Sequence, residues 1–331
     1  MSYRIVPVKL VRRKAVEFLI SLGFSNEDSE IAIDVLIEAE LRGYGTQGLM
    51  RLEQTKISID NKTINPNAKM IIEKRNKATT LYNGYCGLGY LFAKKAMDRC
   101  ILLAQIYGVA VVGVHSIGHI GMLSYYSELA SEKKMVGIVM TTTSPAAVFP
   151  GGKRKVLGTN PISISIPFKK YPLTMDFSTS AISRGMLMNL IENNESLPKG
   201  IALDKDGRYT NNPKKALEGG ILPFGGIKGA LLSLFVGILA GPLVGGEILD
   251  RVKGTRFMAD KPNKGDLFIA IDIKRLAGID YLNKNINYLE EVLKECGGEI
   301  RMPGKRSYES KMKSLMMGIK LPENILTLLG L

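Results

Sequence analysis

The chain has 331 residues, of which 45% are hydrophobic and 23% are charged, a composition typical of globular proteins. Lys and Arg outnumber Asp and Glu by 45 to 31, but they occur in short groups mixed with acids. This distribution argues against a nucleic-acid partner, although the positive charge is expected to attract small anionic ligands. The three cysteines have no Cys-x-x-Cys spacing and imply neither a disulfide framework nor a zinc site.

No segment predicts a membrane span or a secretion signal. The longest apolar run, "ALLSLFVGILAGPLVGG" from Ala230, is interrupted by Gly237, Gly241 and Pro242, so it predicts a buried helix followed by a turn. The first residues lack the charged, apolar and small-residue segments of a signal peptide. We therefore expect a cytoplasmic protein with no membrane partner.

The start of the chain predicts helices, at residues 10–22, 27–42 and 48–60. Between the second and third lies "GYGTQG", residues 43–48, which has the G-x-G-x-x-G spacing of dinucleotide-binding loops. Such a loop must follow a strand, whereas this one follows a helix, so the pattern predicts a glycine-rich turn at the helix end. Arg51, just beyond the turn, is a fixed cation suited to binding a carboxylate with two hydrogen bonds.

The centre of the chain alternates strands and helices, which predicts an α/β fold. The runs "VAVVGVHS", "VGIVMTTT" and "PISISIP" are rich in β-branched residues and bounded by Gly or Pro, as buried strands are. "MLSYYSELASEKKM" predicts a helix between the first two, in a right-handed crossover. Further strands are predicted at "ATTLYNG", "LTMDFSTS" and "DLFIAIDI", helices at "LFAKKAMDRCILLAQIYG" and "INYLEEVLKECGG", and a hairpin or loop at "IALDKDGRYTNNP".

The only histidines, His115 and His119, follow the end of an apolar strand, where α/β sheets bind ligands. A zinc site would require a third ligand and a helix presenting both rings, and the sequence predicts neither. Two roles remain open for each histidine: a hydrogen-bonded loop residue, or a group that transfers a proton near neutral pH.

Three segments are rich in glycine and hydroxyl groups: residues 141–145, 150–161 and 222–230. Each offers backbone N–H groups or a lysine to an anion such as a phosphate. Together they indicate a cofactor site that is not built on the Rossmann glycine loop.

Taken in order, these segments resemble the type 2 malate/L-lactate dehydrogenase family over nearly the full length. The matching motifs are "EAELRGYGTQGLMRL", "NGYCGLG", "HIGMLSYY", "GGKRKVLGTNPISISIP", "MDFSTSAISRG", "LDKDGRYTNNP", "GGILPFGGIKG", "DLFIAID" and "IRMPGKRS". The resemblance implies a non-Rossmann α/β fold with a mixed sheet, flanking helices and an N-terminal helical segment. It also implies an N-terminal helical segment at 1–75, an α/β cofactor-binding core at 76–305 and a C-terminal helical segment at 306–331 that packs back on the N-terminal part.

The resemblance further implies hydride transfer between NAD or NADP and a small 2-hydroxy or 2-keto carboxylic acid, of the malate, lactate or sulfolactate class, by a homodimer. By position, His119 resembles the family's acid/base histidine and Arg51 the arginine that binds the substrate carboxylate. The residues matched to the cofactor are Thr143, Ser144, Gly158, Thr159, Asn160, Asp176, Phe177, Ser178, Thr179, Lys228, Gly304, Lys305 and Arg306.

The chain departs from the family at a catalytic position. The family's Ser-His-Gly before the arginine is Thr46-Gln47-Gly48, so a second active-site histidine is absent. Gln47 can donate and accept hydrogen bonds but cannot relay a proton at neutral pH. Lys305 also replaces the family's glutamate, and Ser116-Ile117 replaces its Asn-Ser.

These departures leave two alternatives to the dehydrogenase hypothesis. One is an NADPH-dependent cyclic-imine (ketimine) reductase with the same fold. The other is a basic, non-enzymatic binding protein that has lost the chemistry. The sequence does not distinguish NAD from NADP, because it contains no recognisable ribose discriminator.

Overall fold

The computed structural model of the protein describes residues 3–255 and 259–331. Its strands are β1 (Tyr3–Val6), β2 (Ile71–Arg75), β3 (Thr79–Gly87), β4 (Val109–Ile117), β5 (Met135–Thr141), β6 (Ala147–Val148), β7 (Lys155–Leu157), β8 (Ile162–Ile166), β9 (Leu173–Phe177), β10 (Ala202–Leu203), β11 (Gly220–Ile221), β12 (Gly265–Asp272) and β13 (Ile319–Pro322). Its helices are α1 (Val8–Ser21), α2 (Asn26–Leu41), α3 (Arg51–Asp60), α4 (Gly89–Tyr107), α5 (Leu123–Glu132), α6 (Arg184–Glu192), α7 (Pro213–Glu218), α8 (Ile227–Ala240), α9 (Ile279–Glu295), α10 (Lys305–Met317) and α11 (Glu323–Leu329).

A mixed seven-stranded sheet forms the centre, in the order β2-β3-β4-β12-β5-β8-β9. Strands β3 and β4 are parallel, and β12 runs antiparallel to both of its neighbours, β4 and β5. The predicted crossover from β4 through α5 to β5 is therefore present, with β12 inserted between the two strands. The predicted α/β fold with a mixed sheet and flanking helices is confirmed.

Helices cover both faces of the sheet, as the side-chain alternation along β12 requires. Phe268 and Ala270 point into the main core, which α4 and α5 complete. Leu267 and Ile269 point to the opposite face and pack with the end of α8 and with Val244. Because both faces are buried, β12 is a continuous apolar run, and this explains why it could be predicted as a strand.

The two ends of the chain meet. Strand β1 pairs antiparallel with β13, and α11 packs against α1 while α10 packs against α2. The main core includes Val6 and Leu329 as well as residues of the central sheet. The C-terminal segment thus packs on the N-terminal one, while the exact domain boundaries at 75 and 305 stay a prediction.

Two elements differ from prediction. Strand β2, "IIEKR", lies within the segment predicted to be helical and forms the sheet edge; all five residues are exposed, so it lacks the apolar pattern of a buried strand.

Helix α8 was predicted to be buried, but it leaves Leu231 and Phe235 45% and 60% exposed. By length and composition residues 227–244 could cross a membrane, yet 44% of that stretch is buried inside the protein and the helix ends before Gly241-Pro242.

A smaller sheet, in the order β10-β11-β6-β7, lies beside the main one. The predicted hairpin is present here, because the Asp204 carboxylate accepts hydrogen bonds from the N–H groups of Asp206 and Arg208, and Leu203 pairs with Tyr209. Helices α6 and α7 pack on this sheet around Leu187, Leu190 and Ile221.

Candidate active site

The main cleft opens at one edge of the seven-stranded sheet. Strands β4, β5 and β9 run in the same direction and therefore end at this edge, whereas the antiparallel β12 begins there. The cleft has a volume of about 620 Å³ and is open to solvent. Helices α3 and α6 line its other side. Gln47, Arg51 and His119, which are far apart in sequence, line this same cleft.

His119 lies in the loop that follows β4. The Gly121 N–H donates a hydrogen bond to its Nδ1 at 2.8 Å, so the neutral ring carries its proton on Nε2. Burial lowers the pKa of His119 well below its ordinary value, and the positive charges of Arg51 and Lys264 lower it further. A neutral imidazole with a fixed Nε2–H can donate a hydrogen bond to a carbonyl oxygen in the cleft.

A close backbone contact holds this loop in place. A Cβ atom on Gly89 would lie 2.3 Å from the carbonyl oxygens of both Gly118 and His119, so the start of α4 approaches the histidine loop as only glycine allows. The Tyr126 hydroxyl also donates to the Ile120 carbonyl at 2.6 Å. These contacts fix the position of the His119 ring.

Arg51 is the first residue of α3, and its guanidinium is buried. Nη1 donates to Gln54 Oε1 at 2.6 Å and Nη2 lies 3.4 Å from Gln47 Oε1, while Nε is buried without a hydrogen-bond partner. Burial lowers the pKa of Arg51. Within residues 3–255 and 259–331, no carboxylate lies within ion-pair distance of Arg51. A buried cation without a counter-ion favours binding of an anion.

The glycine pattern at 43–48 folds over a carboxyl group instead of a phosphate. Glu40, near the end of α2, accepts a hydrogen bond from the Leu49 N–H at 2.7 Å. A Cβ on Gly48 would lie 2.5 Å from Glu40 Oε1, so the turn can close over the carboxyl group only with glycine there. Gly43, with φ +79°, directs the chain away from α2. Glu40 thereby supports the turn that carries Gln47 and leads to Arg51.

Glu40 gives the stability of this turn a pH dependence. Burial raises the pKa of Glu40 to about 7, from 4.5. Between pH 4.5 and 7 the folded state keeps a proton that the unfolded state releases, so the free energy of unfolding falls as pH rises through this range. We expect Glu40→Gln, which stays neutral at both pH values, to gain about 1 to 3 kcal/mol of unfolding free energy relative to wild type between pH 5 and pH 8.

Urea unfolding of both proteins at pH 5 and pH 8 measures this difference. Glu195→Gln, at an exposed position, is the matched control and should track wild type at both pH values. An equal difference between Glu40→Gln and wild type at the two pH values would contradict a buried Glu40 with a raised pKa.

The hydroxyl-rich segments form the floor of the cleft. Of the residues matched to the cofactor, those that line the main cleft are Thr143, Ser144, Thr159, Asp176, Phe177 and Ser178. Gly304 and Arg306 line a second cleft of about 130 Å³, which shares Tyr44 and Asp176 with the first and also contains Arg301. Asp176 lies between the two and accepts a hydrogen bond from the Ser124 N–H at 2.7 Å.

The remaining matched residues lie outside these surfaces. Asn160 Oδ1 accepts a hydrogen bond from the Thr143 N–H at 3.1 Å, and the Thr179 N–H donates to the Thr159 carbonyl at 2.9 Å, so both support the floor from behind. A Cβ on Gly158 would lie 2.2 Å from Asn160 Oδ1, which makes glycine necessary at that position. Lys228, in the first turn of α8, and Lys305, at the start of α10, line neither cleft.

The chemistry of the two clefts suits a nicotinamide dinucleotide. Their shared surface carries hydroxyl groups and backbone N–H groups of the kind that bind ribose, and the second cleft carries the cations Arg301 and Arg306, of the kind that neutralise phosphates. Gly304 has a φ of +86°, and a Cβ atom there would lie 2.6 Å from the Pro172 carbonyl oxygen. Glycine at this position therefore lets the chain approach that carbonyl closely. The glycine-rich turn at 43–48 follows helix α2, and it contributes Tyr44, Thr46 and Gln47 to the main cleft.

His115 has a different environment from His119. Its Nε2 lies 3.0 Å from Glu73 Oε2 and its Nδ1 lies 3.0 Å from Ser116 Oγ, and it does not line the main cleft. His115 therefore matches the hydrogen-bonded role that the sequence left open. In the part of the chain that the structure describes, no group of three or more His, Cys, Asp and Glu side chains is arranged to hold a metal ion.

Sequence reasoning missed two further groups at this edge of the sheet. One is Glu40, described above. The other is Lys264, which lines the main cleft and pairs with Asp266 just inside β12. In the sequence both resemble ordinary surface charges, and the only signal was the position of Lys264 two residues before the predicted strand "DLFIAIDI".

Comparison with known proteins agrees with this geometry. The sequence profile described as malate/L-lactate dehydrogenase matches residues 6–329. A malate/(S)-sulfolactate dehydrogenase from Methanothermus fervidus is 40% identical over 314 residues, 95% of this chain and 93% of that protein. The solved structure of a sulfolactate dehydrogenase from Methanocaldococcus jannaschii is 37% identical, with a TM-score of 0.92 over 98% of this chain and 95% of that one.

A more distant relative has a different activity in its name. A Δ1-pyrroline-2-carboxylate reductase from Burkholderia ambifaria is 27% identical over 330 residues, 96% of each chain. The profile match and the 40% identity nevertheless decide the family. The chain belongs to the malate/L-lactate dehydrogenase family and is a nicotinamide-dependent oxidoreductase of small 2-hydroxy and 2-keto carboxylic acids.

Proposed function

We propose that this protein interconverts a 2-keto acid and a 2-hydroxy acid of the malate and sulfolactate class. Arg51 binds the substrate carboxylate, and His119 donates from Nε2–H to the carbonyl oxygen. The observation that carries the proposal is the buried Arg51 guanidinium, whose Nε has no hydrogen-bond partner, in the same cleft as His119. A substrate carboxylate would supply the missing counter-ion and two charge-assisted hydrogen bonds.

In this proposal the side chains divide the work between placement and proton transfer. Arg51 holds the carboxylate with its planar guanidinium, which fixes the adjacent carbonyl carbon in the cleft. The nicotinamide cofactor, NAD or NADP, supplies the hydride for reduction and accepts it in oxidation. His119 Nε2–H donates a hydrogen bond to the carbonyl oxygen and stabilises the negative charge that develops there. A proton from solvent in the cleft completes the hydroxyl group, and in oxidation that proton returns to solvent, so the ring keeps its own proton.

The floor of the cleft would hold the cofactor. We assign its ribose and phosphate contacts to Thr143, Ser144, Thr159, Asp176 and Ser178, because these residues line the cleft that contains His119. Arg306 would neutralise a phosphate in the adjoining cleft. Lys228 stays a predicted cofactor residue, outside both clefts of its own chain.

Gln47 favours a substrate with a second anionic group. Its Oε1 faces Arg51, which leaves its amide NH₂ as a donor at the cleft surface. The relatives named above include enzymes for malate and for sulfolactate, whose substrates carry a second carboxylate or a sulfonate beside the 2-hydroxy acid group. We therefore place dicarboxylates and sulfonates ahead of lactate.

Cyclic-imine reduction is the second candidate. It would use the same carboxylate anchor and the same hydrogen-bond donor, and the Burkholderia ambifaria relative carries that name. The proposal for a non-enzymatic binding protein has no support in the site, since Arg51 and His119 lie in one cleft beside the cofactor floor.

The proposal is tested by following the absorbance of reduced nicotinamide. Oxaloacetate, sulfopyruvate and pyruvate are each offered with NADH and with NADPH, and Δ1-pyrroline-2-carboxylate is offered in parallel. Turnover of oxaloacetate or sulfopyruvate at least tenfold above pyruvate is the expected result. Turnover of the imine alone would replace the dehydrogenase proposal with imine reduction, and no turnover with any pair would overturn both.

We also propose that the protein is a cytoplasmic homodimer and that α8 contributes to the interface. Phe235 and Leu231 present an apolar surface on α8, and Leu243, just after it, is 61% exposed.

We expect Phe235→Glu to convert the dimer to a monomer, because the interface would then bury a charge. Sedimentation equilibrium measures the change, with Tyr209→Glu, at a 73% exposed position away from α8, as the control. A dimer that persists in Phe235→Glu would remove α8 from the interface.

A further inference from the structure

Lys264 and Asp266 form a buried ion pair that the proposed chemistry does not yet use. The Lys264 ammonium contacts both carboxylate oxygens of Asp266 and lies 3.2 Å from Thr141 Oγ1. The side chains are 1% and 0% exposed. The backbone is fixed as well, because the Ser116 N–H donates to the Lys264 carbonyl at 2.9 Å. The start of β12 is thus tied to the end of β4, from which the His119 loop departs.

The two partners face His119 unequally. Lys264 lines the cleft together with His119 and Arg51, whereas Asp266 lies behind it, between Val114 of β4 and Thr141 of β5, and does not line the cleft. Lys264 is therefore the member of the pair that borders the site. A buried lysine without its carboxylate partner would lose its proton, so Asp266 is what keeps this charge in place.

Charged and titratable groups surround His119 from several elements. They are Arg51 of α3, Tyr90 of α4, Tyr126 of α5, and Lys264 and Asp266 at the start of β12, with Glu53, Asp176 and Glu192 elsewhere on the cleft surface. Beyond burial, the charges that lower the pKa of His119 are those of Arg51 and Lys264. The Gly121 N–H directed at Nδ1 acts in the same sense, because it opposes a proton on that nitrogen.

Substrate binding would change how strongly each of the two cations, Arg51 and Lys264, acts on the His119 ring. A carboxylate bound to Arg51 cancels most of the field of that guanidinium at His119. Burial lowers the pKa of Lys264, and the Asp266 carboxylate paired with it behind the site raises that pKa again and holds the charge. Lys264 is then the remaining cation acting on the ring, at the moment when the ring is used.

We propose that Lys264, held by Asp266, is a positioning residue that keeps His119 neutral and protonated on Nε2 in the substrate complex. The enzyme then reduces its substrate with a neutral imidazole as hydrogen-bond donor, and its rate does not depend on forming an imidazolium. This inference rests on the proposed function for its role in turnover, while its electrostatic part concerns the protein alone.

The chain offers a direct test, since it has only two histidines. In a His115→Gln background, the single imidazole observed by NMR is that of His119. Its titration is measured with and without oxamate, a carboxylate that cannot be reduced. We expect Lys264→Gln to move the His119 titration midpoint upward by about 1 pH unit, most clearly with oxamate bound. Lys253→Gln, at an exposed position nearby, is the matched control and should leave the midpoint unchanged.

A second variant covers the case in which Lys264→Gln fails to fold because Asp266 is left buried and unpaired. Lys264→Gln combined with Asp266→Asn removes both charges and retains a hydrogen-bonded pair, and it should show the same upward movement. An unchanged midpoint in both variants overturns the proposal. The titration needs no turnover, so a moved midpoint in a protein without dehydrogenase activity would reject the proposed function and keep this inference.

Discussion

His119→Asn lowers kcat for reduction of the preferred keto acid by about 10²- to 10⁴-fold, the range expected when a positioned donor to the reacting oxygen is lost. Asparagine suits the test because its Oδ1 can still accept the hydrogen bond that the Gly121 N–H donates to Nδ1 of His119 in wild type. The change therefore removes Nε2–H and leaves the loop in place. Substrate affinity should change little, since Arg51 still holds the carboxylate.

Steady-state kinetics with reduced nicotinamide measure kcat and KM separately. The control is His115→Asn, which alters the other histidine, 3.0 Å from Glu73 and outside the main cleft. Its kcat should stay within about twofold of wild type, in keeping with a substitution that touches no reacting group. A kcat for His119→Asn close to that of wild type would show that another group donates to the carbonyl oxygen.

Three of the strands predicted from sequence are buried on both faces. Residues 109–117, 135–141 and 265–272 read as continuous apolar runs because helices or turns cover both sides of the sheet. Strand β2 could not be found this way, since it is an exposed edge with charged side chains. The order β4-β12-β5 could not be found either, because β12 joins from more than a hundred residues later and no local pattern records its neighbours.

The site was predictable where residue type alone carries the chemistry. A histidine at a strand end and an arginine after a glycine turn are distinctive, and the structure brings His119 and Arg51 to one cleft. Glu40 and Lys264 were missed because a glutamate in a helix or a lysine before a strand is usually a surface residue. Their burial is a consequence of tertiary packing, which no local window of sequence contains. Whether the matched residues bind cofactor and substrate stays a prediction.

The turn at residues 43–48 is a second example of tertiary packing that the sequence alone could not predict. Its glycine spacing matches a phosphate loop, and only the helix before it argued for a different role. The structure explains the glycines by close packing of Gly48 on the Glu40 carboxyl group. A spacing motif thus reports where the backbone must be unhindered, but not which group approaches it.

Replacing Arg51 has the second large effect. We expect Arg51→Met to lower kcat/KM for the preferred keto acid by about 10²- to 10³-fold or more, because it leaves a bound carboxylate buried without its counter-ion. Arg51→Lys should recover only part of the loss, since an ammonium cannot match the two parallel hydrogen bonds of a guanidinium. Arg13→Lys, on a 66% exposed side chain, is the matched control and should not change the kinetics.

A neutral substrate separates charge recognition from general damage. Wild type should prefer pyruvate to its primary amide, and Arg51→Met should lose that preference because the group that senses the charge is gone. Arg51 has no acidic partner in the described ranges, and its side chain bonds to Gln47 and Gln54. The variant should therefore lose no more than about 1 to 3 kcal/mol of unfolding free energy, the net value of two such hydrogen bonds. A preference for acid over amide that survives in Arg51→Met would assign carboxylate binding to another residue.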